Sequence, residues 1–99
     1  MKYLKTEKEF YEIIKGEKVL IDFYADWCGP CNMLATVLEE VVKERTDIEI
    51  VKVNTDTFMN LAREYKVMSI PALKIFSNGK LIKEQNGFLT KNELLEFLK

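Results

Sequence analysis

Two hydrophobic periods take turns along this chain. Phe10, Ile13 and Ile14 recur at helical spacing behind Thr6 and Glu9, a capping-box pair, and Gly16 follows as a stop, so a short first helix is predicted. Val19 to Tyr24 is a nearly continuous apolar run, the pattern of a strand covered on both faces, broken only by Asp22. From Cys31 onward Leu34, Val37, Leu38, Val41 and Val42 mark the longest helix, which fades among the charged and turn-favouring residues near Arg45 to Asp47. Ile48 to Asn54 reads as a second buried strand, and Asp56 as the cap of a helix whose inner face is Phe58, Leu61, Ala62 and Tyr65. Beyond Ile70-Pro71, the run Ala72 to Ser77 meets Asn78-Gly79, a strong hairpin signal, and Lys80 to Gln85 returns. Thr90 with Glu93 forms a second capping box, Leu89 and Leu94 a hydrophobic staple, and a last helix runs through Leu98. Met1 to Leu4 adds a short edge strand. The order is β-α-β-α-β-α-β-β-α, an α/β fold with parallel strands first, a hairpin last and helices on both faces.

Composition narrows the function more than the fold. The 99 residues fit one domain, residues 1–99, and 47% hydrophobic against 31% charged content is that of a globule with a core. Fifteen basic and sixteen acidic side chains give a net charge of −1, which offers no general field for nucleic acid or anionic lipid. No apolar run approaches the roughly 18 residues of a membrane span, and Met1 to Thr6 lacks the apolar core of a secretion signal, so a cytoplasmic location is expected. Histidine is absent, which removes imidazole bases, histidine-dependent triads and histidine-ligated zinc.

The chemistry then falls to the two cysteines, Cys28 and Cys31, in Trp27-Cys28-Gly29-Pro30-Cys31. Pro30 is tolerated in a first helical turn because its missing N–H costs no hydrogen bond there, so the helix begins near Gly29 and Cys28 sits at its N-terminal end. Free backbone N–H groups and the positive dipole end favour a thiolate at Cys28. Cys31 falls beside the buried stripe that starts at Leu34, so its thiol should be sheltered. At this spacing the two sulfurs can join without large backbone motion. One exposed and one sheltered sulfur suit a nucleophile and its resolver. A static bridge closing so small a ring would contribute little stability, and a zinc site would need ligands from a second chain.

Three further side chains stand out. Asp22 in an apolar strand implies a buried carboxylate whose pKa is raised. Lys52, between Val51 and Val53 in the neighbouring strand, is the candidate partner of Asp22; a lysine reaching to the surface is the alternative. Trp27 beside a reactive sulfur can form part of a flat docking surface.

This motif, preceded by Val19 to Asp26 and followed by Lys52 to Asp56, Ser69-Ile70-Pro71, Asn78-Gly79 and Gly87, resembles the thioredoxin family over nearly the whole chain. The resemblance implies a thioredoxin fold, with a central five-stranded mixed sheet flanked by four helices. It implies a protein-disulfide oxidoreductase with a redox-active Cys28-Cys31 pair, Cys28 attacking and Cys31 resolving, and Asp22 exchanging a proton with Cys31. Gly29 and Pro30 resemble the spacer of the reductants, while oxidants and isomerases of this fold more often carry histidine there. Trp27, Gly29, Ile70, Pro71 and Gly87 match the substrate-contact region, with the Ile70-Pro71 peptide cis, where composition alone would favour trans. A monomer without a bound cofactor or metal is implied, acting on disulfide-containing proteins, recycled by a flavin-dependent, NADPH-fed thioredoxin reductase and contributing to cell redox homeostasis. No glycine-rich phosphate loop for flavin or nicotinamide occurs in this chain.

Some residues depart from the family pattern. Thr36 stands where many relatives have a helix-bending proline, Asn32 where a basic residue is frequent, and Tyr24 and Ala72 where tryptophan and threonine are commonest. The rival readings are an oxidant or isomerase, an accessory binding module in which redox chemistry is incidental, and a thiolate metal site shared between chains.

Overall fold

The computed structural model describes residues 1–99. Five strands form one sheet in the order β1-β3-β2-β4-β5, with β1 Lys2–Tyr3, β2 Val19–Tyr24, β3 Glu49–Asn54, β4 Ala72–Ser77 and β5 Lys80–Asn86. β1 and β2 both run parallel to β3, whereas β4 pairs antiparallel with β2 and with β5. Four helices complete the fold: α1 Glu7–Ile13, α2 Gly29–Glu44, α3 Met59–Glu64 and α4 Lys91–Phe97.

The alternation along each strand sorts the core into two layers. Val19, Ile21 and Phe23 of β2 and Val51 and Val53 of β3 pack with Phe10, Ile14, Phe58 and Leu61 on the α1 and α3 side. Leu20, Ile50, Leu73 and Ile75 face the other way, onto Leu34, Leu38 and Val41 of α2 and Leu94 and Leu98 of α4. β5, by contrast, is exposed along its length and has no layer beyond it.

Local signals explain the joints. Asn78 (φ 52°) and Gly79 (φ 87°) both take the left-handed region that a tight two-residue hairpin turn requires, and their N–H groups bond back to the carbonyls of Gly16 and Ile14 at 2.8 Å. The capping box of α4 is complete, with the Thr90 hydroxyl accepting from Glu93 N–H and the Glu93 carboxylate accepting from Thr90 N–H. At α1 only half of the expected box forms: Thr6 accepts from Glu9 N–H, but the Glu9 carboxylate takes the Lys5 N–H and pairs with Lys2. Asp56 does not cap α3. Asn54 Oδ1 accepts the N–H groups of Asp56 and Thr57 and tightens the turn there, so α3 starts later, behind Phe58, and the Asp56 carboxylate turns elsewhere. α2 is unbroken through Thr36.

Candidate active site

The loop that leaves the end of β2 delivers Trp27 and Cys28 to the start of α2. Cys28 is the N-cap, in extended conformation (φ −89°, ψ 109°), and Pro30 occupies the first turn. Asn32 N–H donates to Cys28 O at 3.1 Å, opening the helical ladder. Cys31 N–H donates to Cys28 Sγ at 3.2 Å, so the Cys28 sulfur fills the place of a capping oxygen. Negative charge arriving on that sulfur meets an N–H already aimed at it. Cys28 and Cys31 are joined as a disulfide with their Cα atoms 5.2 Å apart.

Depth differs from the expectation of one exposed and one sheltered cysteine. Cys28 is 5% exposed and Cys31 1%, and Ala25, Tyr24 and Ile70 pack around the pair. Helical spacing locates Cys28 at a helix end but carries no information about the loop that folds over it: Ile70 O lies 3.8 Å from Cys28 Sγ. The asymmetry lies in what surrounds each sulfur. Cys28 lies next to the exposed Trp27 and the Ile70 loop, while Cys31 belongs to the inner stripe of α2 with Leu34.

Asp22 and Lys52 are register partners on β2 and β3, both buried, on the sheet face that α2 covers. Lys52 Nζ is 3.7 Å from Asp22 Oδ2, an ion pair too long for a hydrogen bond, and neither Asp22 oxygen receives a hydrogen bond from any group. Burial therefore dominates and raises the Asp22 pKa to about 6, with the Lys52 charge opposing the rise. Lys52 is held from its other side by aromatic faces, 4.4 Å from the Tyr24 centroid and 5.7 Å from that of Tyr3. Tyr24 is also pushed up by burial.

The rim comes from three loops. Trp27 is 72% exposed, and its indole N–H donates to Asp56 Oδ2 at 3.0 Å. Asp56 is thus a site residue that sequence reading assigned to a helix cap; an acid in the loop after β3 was the only signal, and it does not tell a cap from a tether. The Ile70-Pro71 peptide is cis, Ile70 is half-buried and Pro71 buried. Gly87 N–H donates to Pro71 O at 2.8 Å, and its φ of 90° is the reason for glycine there, since a Cβ would meet nothing within 4 Å. Gly29 likewise faces open space, which leaves the approach to Cys28 free of a side chain. No group of three or more Cys, His, Asp or Glu side chains converges anywhere to hold a metal ion.

The sequence profile described as "Thioredoxin" matches residues 2–99. The chain belongs to the thioredoxin family. It is 40% identical over 100 residues to a thioredoxin of Mycoplasmoides gallisepticum, covering 100% of both chains, and 47% identical over 89 residues to one of Mycobacterium tuberculosis, covering 88% of this chain and 77% of that one. Among solved structures, a Plasmodium falciparum thioredoxin superposes with a TM-score of 0.93 at 30% identity, covering 99% and 96% of the two chains. The oxidised form of mitochondrial thioredoxin 3 from Saccharomyces cerevisiae gives 0.91 at 31%, covering 99% and 92%. This thioredoxin-family chain is a protein-disulfide oxidoreductase, and Cys28 and Cys31 are its redox pair. None of its helices is long and apolar enough to cross a membrane.

Proposed function

We propose that the protein acts in the reducing direction on disulfides of other proteins, with residues 1–99 working as one domain. In the dithiol form the Cys28 thiolate attacks one sulfur of a substrate disulfide; that S–S bond breaks, a Cys28 mixed disulfide forms, and the departing thiolate takes a proton. Cys31 gives its proton to Asp22, and its thiolate attacks Cys28 Sγ. The second substrate thiolate leaves and is protonated, so the substrate gains two electrons and Cys28 and Cys31 end joined. Trp27, Gly29, Ile70, Pro71 and Gly87 form the docking rim, Gly29 and Pro30 set the turn between the sulfurs, and Lys52 moderates the charge on Asp22. The cycle closes when a flavin-dependent, NADPH-fed thioredoxin reductase returns two electrons, with no cofactor bound to this chain. The protein serves redox homeostasis and electron transport in the cytoplasm as a monomer.

The observation that carries this reading is the Cys31 N–H donating to Cys28 Sγ at the α2 N-terminus, beside an exposed tryptophan. Insulin-disulfide reduction driven by dithiothreitol tests it. Wild-type protein should accelerate precipitation of the reduced insulin chain, and Cys28→Ser should run at the background rate; equal rates in the two proteins overturn the assignment. An accessory module would keep its effect on its host enzyme when both cysteines are serine.

A further inference from the structure

Two adjoining hollows, which share Thr55, Ala62, Val67 and Met68, form a groove from Trp27 and Ile70 along α3. Its inner part, about 200 Å³, begins at Trp27 and Ile70 and runs over Ala62 and Met68. The outer part, about 550 Å³, shares Ala62 and Met68 with it, adds Met59, and ends between Arg63 and Lys66. Met68 is 92% exposed and Met59 53%, so two flexible, polarizable thioethers lie open to solvent beside a reactive centre. Neither Arg63 nor Lys66 makes an ion pair or a side-chain hydrogen bond. Their nearest acid in sequence, Glu64, accepts instead from the Tyr11 hydroxyl of α1. The groove is therefore largely apolar beside Trp27 and Ile70 and ends at two cations with no acid of their own, the Glu84 that shares a hollow with Lys66 being held by Lys74.

Resting on the function proposed above, we propose that the groove selects among protein substrates. It takes the stretch beside the substrate's reactive cysteine, seating an apolar side chain over Met59, Ala62 and Met68 and a carboxylate beside Arg63 and Lys66. Continuity with Trp27 and Ile70 places this stretch in line with the disulfide under attack. Charge complementarity makes it acidic. Methionine fits the apolar part because a thioether adapts to side chains of different shape, so selection falls chiefly on charge.

The test uses disulfide-linked peptides in which Leu is followed by Glu-Glu or by Lys-Lys, stepped through positions on either side of the cysteine. For at least one placement, reduced wild-type protein should show kcat/KM about five- to tenfold higher for the Glu peptide at low ionic strength, a preference that shrinks in high salt. Arg63→Glu combined with Lys66→Glu should invert the preference, and Arg63→Lys combined with Lys66→Arg should keep it. Each comparison is a ratio measured on one protein, so loss of folded material does not imitate it. No preference at any placement, or a preference that survives charge reversal, overturns the inference. Binding is read separately from chemistry by titrating Cys28→Ser/Cys31→Ser protein with cysteine-free versions of the peptides, followed by fluorescence of Trp27, the only tryptophan. Tighter binding of the Glu peptide, with no reduction by the wild type, would sustain the groove and overturn the reductase reading. Reduction without charge preference would do the reverse.

Discussion

Asp22 holds the only buried side-chain polar atoms without a hydrogen bond, and with Lys52 standing off at 3.7 Å its charge is costly to carry. Below pH 4 folded and unfolded chains both hold the proton, and the cost is absent. As pH rises from about 4 to about 6 the unfolded chain releases the proton while the folded chain retains it, so stability falls across that window and does not recover above it. Asp22→Asn removes this titration and leaves Lys52 equally unpaired at every pH. Urea denaturation at pH 4 and pH 7 should therefore show the variant gaining about 2–3 kcal/mol on the wild type between the two. A constant difference would show that the carboxylate ionises in the fold as easily as in water. The same substitution should slow resolution of a mixed disulfide about tenfold or more by removing the acceptor for the Cys31 proton, read by quenching single-turnover reactions. At the rim, Asp56→Ala frees the Trp27 indole. KM for insulin should rise a few-fold with kcat held and stability changed by no more than about 0.5–1 kcal/mol, and Asp56→Asn, which keeps an accepting oxygen, should restore it.

Elements raise a different question, why one strand tolerates a charge on its covered face. Lys74 of β4 is buried, and its ammonium reaches Glu84 Oε1 of β5 at 2.6 Å, directly across the strand pair. Glu84 is itself largely exposed, and its removal leaves a buried cation without its ion-pair partner. Glu84→Ala should cost about 1–2 kcal/mol in thermal or urea unfolding, and Lys74→Met together with Glu84→Ala should recover most of it, since the double change leaves no unpaired charge. This pair also marks the limit of what the sequence displays. Strand and helix order follow from local periodicity and capping, which is why β2, the α2 stripe, the Asn78-Gly79 turn and the Thr90 cap match the pattern residue by residue. Asp22 shows because a lone acid interrupts an otherwise apolar run. Lys74 hides because a lysine in a strand beside a hairpin reads as a solvated edge until β5 is placed next to it. The cover over Cys28 and the Asp56 tether to Trp27 hide for a different reason: they join residues 42 and 29 apart in sequence, and no local pattern reports such a meeting.

Across the whole molecule, the two hydrophobic layers share a single sheet, and β2 lies at its centre between β3 and β4, all three with side chains committed to both. The site occupies the end of that sheet where the parallel strands β2 and β3 finish, so the loops after them, carrying Trp27 and Asp56, arrive together while the strands behind stay rigid. Such sharing makes the layers mechanically dependent. A void on the α1 and α3 side loosens the backs of the strands whose fronts pack on α2. Phe10→Ala, in the first layer, and Leu34→Ala, in the second, should each cost about 2–5 kcal/mol, a large part of the stability of a 99-residue domain. Each variant should still unfold in one step, with far-UV circular dichroism and Trp27 fluorescence tracing the same curve, because neither layer keeps a sheet to pack against once the other is lost. If Phe10→Ala instead gave two transitions, with the tryptophan signal persisting after half the ellipticity had gone, the α2 and α4 layer would be able to stand alone, and rigidity behind the disulfide would owe nothing to the opposite face.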